Sequence, residues 1–346
     1  MTTVCITGIG LVSSLGEGRA AHLPLGARVL DEAGFAPFPI HPLPELDMAA
    51  SIPRREYRQM ENFQRLGTYT AGLALADAAA TDLVTGMDLV VAAGGGERDM
   101  ALDEAILTEL TAIPPAKREA WLHKRLADGL RPTLFLAQLP NLLAGSISIV
   151  HGVSGSSRTL MGEDGAGAEA VRVAAARVAA GTAERVLVGA ASIAGRWETL
   201  LIYAAGLHQG PWRPTAGRLG MVLGSQAAFL VLEGLDTARA RGATVLAVLR
   251  DVRVDAGPLE RRAARFAALA PEGPGLSVAL SVAPCAGPGL AGAEILADTL
   301  GAGLEAAFPV GLALAALRVA AGAPRLAVHG FGHGLAEFSG VLERAP

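Results

Sequence analysis

The residues best placed to do chemistry lie in Met161-Gly-Glu-Asp-Gly-Ala-Gly-Ala168, a turn of small residues carrying two carboxylates. It follows a strand-like run, Ser156-Ser-Arg-Thr-Leu160, and leads into an Ala-rich helix, Glu169 to Ala180. Acyl-transfer chemistry exposes its nucleophile at such a strand-to-helix turn. Free backbone N–H groups and the helix dipole there lower a thiol pKa or hold an oxyanion. This turn carries Glu163 and Asp164, and no Cys. A carboxylate could hold an acyl group only as a readily hydrolysed mixed anhydride, and it is a weaker nucleophile than a thiolate. Asp164 therefore reads as a degenerate position.

Other reactive side chains are few. Cys285, in Ser281-Val-Ala-Pro-Cys-Ala-Gly-Pro288, could serve as a nucleophile, but its position also suits a small apolar residue at a strand end. His151 follows a strand-like run, and His329 and His333 flank a Gly-rich loop, His329-Gly-Phe-Gly-His-Gly334. Without a suitably placed thiol or serine, these three read as hydrogen-bonded loop histidines. Cys5 lies inside an apolar strand and reads as core. Two cysteines give neither a disulfide framework nor a metal cluster. Neither a metal nor a cofactor is expected.

These groups must be positioned by short β-branched runs that alternate with Ala-rich helical patterns, as buried parallel strands with crossover helices do. Strands are expected at Val4–Gly8, Leu89–Ala92, Ser146–Val150, Arg158–Leu160, Arg185–Val188 and Ala227–Leu232. Further strands are expected at Val245–Val254, Leu276–Val282, Leu326–His329 and Phe338–Leu342. Helices are expected at Gln64–Ala80, Gly167–Ala180, Leu235–Arg241, Ala293–Leu300 and Pro309–Ala321, with an amphipathic helix across Met100–Leu130. Glu17–Pro53 is Pro-rich and irregular, and reads as a surface cap.

The 346 residues suffice for one large α/β domain or two fused halves, and 51% are hydrophobic. A net charge of −4, no long Lys/Arg block and 4% aromatics argue against nucleic-acid binding. The apolar helical runs are interrupted by Arg, Glu or Pro before bilayer length, and the chain opens on a strand. No membrane association and a cytoplasmic location are expected.

Several blocks, in order, resemble β-ketoacyl synthases. Val4-Cys-Ile-Thr-Gly-Ile-Gly-Leu-Val-Ser-Ser-Leu-Gly16 is similar to that family's first strand and turn. Arg58-Gln-Met-Glu-Asn-Phe-Gln-Arg65 resembles its Arg-x-Met-Asp-x-Phe helix. Pro140-Asn-Leu-Leu-Ala-Gly-Ser-Ile-Ser148 resembles the segment before the nucleophile strand. Arg213-Pro, Gly220-Met-Val-Leu-Gly224, Leu232-Glu233 and Ala238-Arg-Ala-Arg-Gly242 look like the block after it. His329-Gly-Phe-Gly-His-Gly334 resembles the closing Gly-Phe-Gly-Gly loop.

The resemblance implies an α/β, thiolase-like five-layer α-β-α-β-α fold with internal duplication, the halves being 1–233 and 234–346 in one packed unit. It places the family's Cys on Asp164 and its first His on Pro284. Its Lys-x-x-x-Gly-His loop falls between Gly303 and Leu304, where Lys and His are deleted. Ser225 stands where active members carry Gly-Glu-Gly-Ala, and Phe331, between His329 and His333, matches the gating phenylalanine.

In that family two subunits pair through the strand before the nucleophile, so the interface would hold Ser156, Ser157, Arg158, Thr159, Leu160, Met161, Glu163 and Asp164. An acyl tunnel reaching it would be lined by Gly95, Leu102, Phe135 and Gln138. Type II polyketide systems pair an active ketosynthase with a nucleophile-less paralogue, the chain-length factor. The resemblance implies that role, though chain-length factors commonly carry Gln where this chain has Asp164. The expected partners are an active ketosynthase subunit and an acyl carrier protein; Arg54, Arg55, Arg58 and Arg65 could receive the latter, and a solvated helix face explains them equally well. The alternatives are an acyltransferase or malonyl decarboxylase using Asp164 or Cys285, and a non-catalytic homodimeric acyl-binding module.

Overall fold

Apolar runs separated by Ala-rich helices build one mixed sheet with helices on both faces. The computed structural model describes residues 2–96, 98–132, 134–269 and 279–346. Its strands are β1 (Val4–Ser13), β2 (Gly16–Glu17), β3 (Asp88–Ala92), β4 (Ser157–Leu160), β5 (Arg185–Ser192) and β6 (Gln226–Gly234). They continue as β7 (Ala247–Asp255), β8 (Ala279–Ser281), β9 (Ala293–Ile295), β10 (Arg325–Phe331) and β11 (Glu337–Glu343). The longer helices are α1 (Asn62–Asp77), α2 (Met100–Leu110), α3 (Arg118–Gly129), α4 (Leu142–His151), α5 (Glu163–Ala179), α6 (Trp197–Tyr203), α7 (Arg262–Ala268) and α8 (Ala307–Ala320).

The strand order is β4-β3-β5-β6-β1-β7-β11-β10-β8-β9, with β2 beside β1. Strand residues alternate between two apolar clusters, as the period of two requires when both faces are buried. Val90, Val186, Val188, Leu230 and Leu232 face α5 and α8. Leu89, Val91, Leu187, Phe229 and Val231 face α1 and α4. Helices α5 and α8 also pack on β7, and α8 on β10 and β11, so they form the central layer. The outer layers are α1 with α4 on one side and α7 against β11 on the other. The continuous sheet passes on both sides of this central layer, which gives the thiolase-like five-layer arrangement.

Several expectations need correction. Ser146–Val150 is not a strand but part of α4, whose buried residues Leu143, Ala144 and Ile147 share one face. Its β-branched content suggested a strand, yet Gly152 at φ 75° closes it as a helix C-cap. Ala293–Leu300 is not a helix. Ala293–Ile295 pairs in parallel with β8, and Leu296–Asp298 forms a 3-10 turn between Gly292 (φ 73°) and Gly301 (φ 78°). Met100–Leu130 is two helices, because Pro114 and Pro115 stop the first.

The sheet is not all parallel: β4–β3, β3–β5, β10–β8 and β8–β9 are parallel, and the remaining pairs antiparallel. Nor are the two halves separate sheets, because Val4, Cys5 and Ile6 pair with both β6 and β7. Residues 17–53 are more than a surface cap, since His22, Phe38, Ile40 and His41 are buried. Of the strand expected at Leu276–Val282, residues 276–278 lie outside the described residues.

Candidate functional site

Strand β4 delivers the chain to the start of α5 through a strained corner. Gly162 sits at φ 140° and Glu163 at φ 56°, a left-handed conformation that costs a non-glycine residue about 1–3 kcal/mol. The helix begins at Glu163, earlier than its apolar pattern suggested, so both carboxylates stand in its first turn. The corner turns Asp164 inward. Its side chain is 0% exposed, and its Oδ2 accepts the backbone N–H of His333 at 3.2 Å. Oδ1 finds no hydrogen-bond partner in another described residue.

Small residues on α5 allow neighbouring backbone to approach. A Cβ on Gly167 would collide with the Glu305 carbonyl, and one on Gly165 would lie 2.7 Å from Ala336 Cβ. The segment Leu304–Ala306 thereby places Glu305 beside the corner, buried and received by the backbone amides of Glu163 and of Glu305 itself. Tyr203, at the end of α6, hydrogen-bonds Glu163 and meets the His333 ring edge-on at 5.7 Å between centroids.

The electrostatics follow from this burial. Desolvation, with Glu305 and Glu163 nearby, pushes Asp164 up to about 7 despite the His333 amide. Desolvation likewise raises Glu305, with Glu163 adding to it, and raises the Tyr203 phenol. A carboxylic acid half-protonated at neutral pH can donate a hydrogen bond, but it lacks the thiolate's nucleophilicity.

The closing loop is clamped from behind. Arg262 on α7 donates to the carbonyls of Gly332 (2.8 Å) and Gly334 (3.3 Å) and to the buried Glu337 (3.0 Å), and its guanidinium lies 4.7 Å over the Phe331 ring. Phe331 is fully buried. His333 belongs to the Asp164 site, whereas His329 Nε2 donates to the Gly289 carbonyl at 2.9 Å and its ring packs edge-on to Phe266. His151 is held by the Thr68 carbonyl at 2.8 Å. These histidines do not converge on one group.

Pro284 is buried beside Arg218. Desolvation raises the Cys285 thiol above its ordinary value and the Asp164 charge adds to this, against Arg262 and Arg218, so the thiol stays protonated at neutral pH. Ser225 accepts the Ala194 amide at 3.0 Å and is fully buried.

The residues expected at a subunit interface separate by exposure. Ser156, Ser157, Arg158 and Met161 are exposed, Thr159, Leu160 and Glu163 half-buried. Asp164 does not belong among them, because the helix corner points it into the chain. Strand β4 lies at the end of the sheet, with one side unpaired among the described residues.

The residues expected to line a tunnel are dispersed. Gly95 lines an inner cavity of about 190 Å³ with Phe63, Arg196, Glu198, Tyr203 and Glu305. Phe135 and Gln138 line a separate outer cavity of about 590 Å³ with Arg98, Asp103 and Leu126. Leu102 is buried against Gly129. Of the basic residues, Arg54, Arg55 and Arg58 are exposed, while Arg65 stacks over Tyr57 at 4.4 Å.

Sequence reading missed Glu305, Tyr203 and the Arg196–Glu198 pair, which line the inner cavity. An isolated Glu in the apolar run Leu304-Glu-Ala-Ala-Phe-Pro-Val was the available signal for the first. Among the described residues no group of three or more His, Cys, Asp or Glu could hold a metal ion, and no helix is long and apolar enough to cross a membrane.

Comparison with known proteins places this geometry. Residues 46–238 match the family model described as β-ketoacyl synthase, N-terminal domain. Nodulation protein E of Rhizobium leguminosarum bv. trifolii is 30% identical over 268 residues, 70% of this chain and 61% of that protein. The chain thus spans about three fifths of the length of this relative. The ishigamide ketosynthase/chain length factor superposes over 100% of both chains with TM-score 0.80 at 18% identity. A type II PKS acyl-carrier protein complex with its ketosynthase bound to the hexaketide gives TM-score 0.74 at 19% identity, again over 100% of both chains. The chain belongs to the β-ketoacyl synthase family.

Proposed function

We propose that this chain is a non-catalytic ketosynthase-like subunit that pairs with an active β-ketoacyl synthase and shapes the space for a growing acyl chain. The observation that carries this reading is Asp164. Where the family resemblance puts a thiolate at a helix N-terminus, this chain has a buried carboxyl group bonded to the closing loop. Pro284 at the first histidine position removes a proton-transfer group, and Cys285 is held as a thiol.

An acyl-transfer site needs an ionised or base-activated nucleophile beside an oxyanion hole. Here the His333 amide, aimed at the corner, is consumed by Asp164. What remains useful is shape: an edge strand with exposed Met161, apolar side chains around α2, α3 and α6, and a fold shared with a ketosynthase/chain length factor. The partners on this reading are an active ketosynthase and an acyl carrier protein, in type II polyketide or polyene biosynthesis.

Co-expression with an active ketosynthase encoded nearby, with a purification tag on this chain alone, tests the reading. A one-to-one complex that elongates carrier-bound acyl groups, with activity surviving Asp164→Ala, is expected. A lone homodimer that turns over acyl substrates, and loses this on alkylation of Cys285, would overturn it. A silent homodimer would indicate an acyl-binding module instead.

A further inference from the structure

Three neighbouring pockets share lining residues. The inner one, about 190 Å³, lies by Glu305 and Tyr203. The middle one, a surface groove of about 490 Å³, is lined by Met100, Ile106, Leu122 and Leu126 and by the exposed Leu201 and Ile202. The outer one, about 590 Å³, holds Phe135 and Gln138. Glu198 and Ile202 border both the inner and middle cavities, while Arg98, Asp103 and Leu126 border both the middle and outer ones.

The inner wall is an ion pair built into backbone. Arg196 Nε and Nη2 donate to Glu198 Oε1 at 3.1 and 3.0 Å, and Nη2 also donates to the Gly96 carbonyl at 2.9 Å. The Arg98 amide donates to the same Glu198 oxygen at 3.3 Å. The side chains of Arg196 and Glu198 are only 12% and 9% exposed. A buried ion pair gives weak net stability, so the two charges here need another explanation.

We propose that the Arg196–Glu198 pair is a polar stop that sets where a hydrocarbon chain lying in the middle cavity must end. This rests on the chain-length reading above and names the residues that set the length. A methyl terminus pressed on the pair would have to break its hydrogen bonds, leaving buried charged groups unpaired. An apolar wall would instead join the inner cavity to the middle one. The outer pair, Arg98 to Asp103 at 2.6 Å, is half exposed on its arginine, so water can accommodate it when it parts. The inner pair cannot part in this way.

The test uses the Arg196→Leu/Glu198→Leu double variant, which removes both charges together and strands neither. The Arg196→Gln/Glu198→Gln variant, which keeps a polar wall and strands no charge, serves as the control. In complex with the active ketosynthase, the double variant should shift the main product longer by at least one two-carbon unit, and the control should leave it unchanged. An intact, active complex with an unchanged product would overturn the stop while leaving the subunit reading in place.

A second measurement does not need the partner. Saturated fatty acids of increasing length are titrated against a fluorescent fatty acid bound to the purified chain. Affinity in the wild type should stop rising at a given length, and the double variant should move that length upward. Equal plateaus, or no fatty-acid binding by either protein, would overturn the stop. If no complex forms but the plateau shifts, the stop stands and the subunit reading fails.

Discussion

Asp164 is the residue on which the chemistry turns, and its burial has a measurable consequence. A carboxyl group raised to about 7 in the folded chain keeps its proton where the unfolded chain has already released it. Its contribution is therefore fully present below the ordinary carboxylate range and is lost as pH rises through the window up to about 7. Asp164→Asn keeps the shape and removes the titration. We expect urea-unfolding midpoints at pH 4, 6 and 8 to fall less steeply for this variant, leaving it more stable than the wild type at pH 8. Glu305, raised for the same reason, should preserve part of the slope. Parallel profiles for the two proteins would mean that Asp164 is ionised in the folded state. This residue stood out in the sequence because a Gly-Glu-Asp-Gly turn after a strand is a local pattern. Its inward orientation was not, since that depends on the φ of Glu163 and on a loop 169 residues away.

Legibility falls off at the scale of elements where long-range packing decides. Strands β5, β6, β10 and β11 were readable because burial on both faces forces continuous apolar runs. The helix α4 was not, because its β-branched residues suit either state and only the packing of one face on α1 and β3 selects the helix. The spacing Gly165-Ala-Gly167 looked like part of a turn, yet it is the contact face of α5. Gly167 therefore makes a sharp test. Gly167→Ala should destabilise the chain by roughly 1–3 kcal/mol, because the new Cβ must push α5 away from the Glu305 carbonyl. Gly145→Ala in α4 meets nothing closer than Leu142 Cδ2 at 3.8 Å, so it should be neutral or stabilising by up to about 1 kcal/mol. Thermal or urea unfolding of the two variants decides the matter; equal effects would show that α5 and Leu304–Ala306 can separate freely.

At the scale of the whole molecule, the open side of β4 is the feature that most needs a partner. Its inner side is occupied: Leu89 N–H donates to Ser156 O at 2.9 Å, and Ala93 N–H to Leu160 O at 3.0 Å. Alternation along the strand then turns the Thr159 amide, opposite Val91, toward the unpaired edge. An unprotected edge beside exposed Met161 (65%) and Ile149 (71%) is a template for a second chain. Proline at position 159 would delete the outward amide without removing an internal ladder bond, and edge strands tolerate proline. Thr159→Pro should keep a wild-type-like unfolding transition yet lower recovery of the co-expressed ketosynthase by roughly tenfold, as the loss of an edge hydrogen bond with its neighbours' alignment would produce. The same substitution should leave fatty-acid binding by the purified chain unaltered, because the Arg196–Glu198 wall lies on other elements. Full recovery of the complex with Thr159→Pro would move the interface away from β4 and onto the apolar side chains of α2 and α6, where Leu107, Leu201 and Ile202 are exposed.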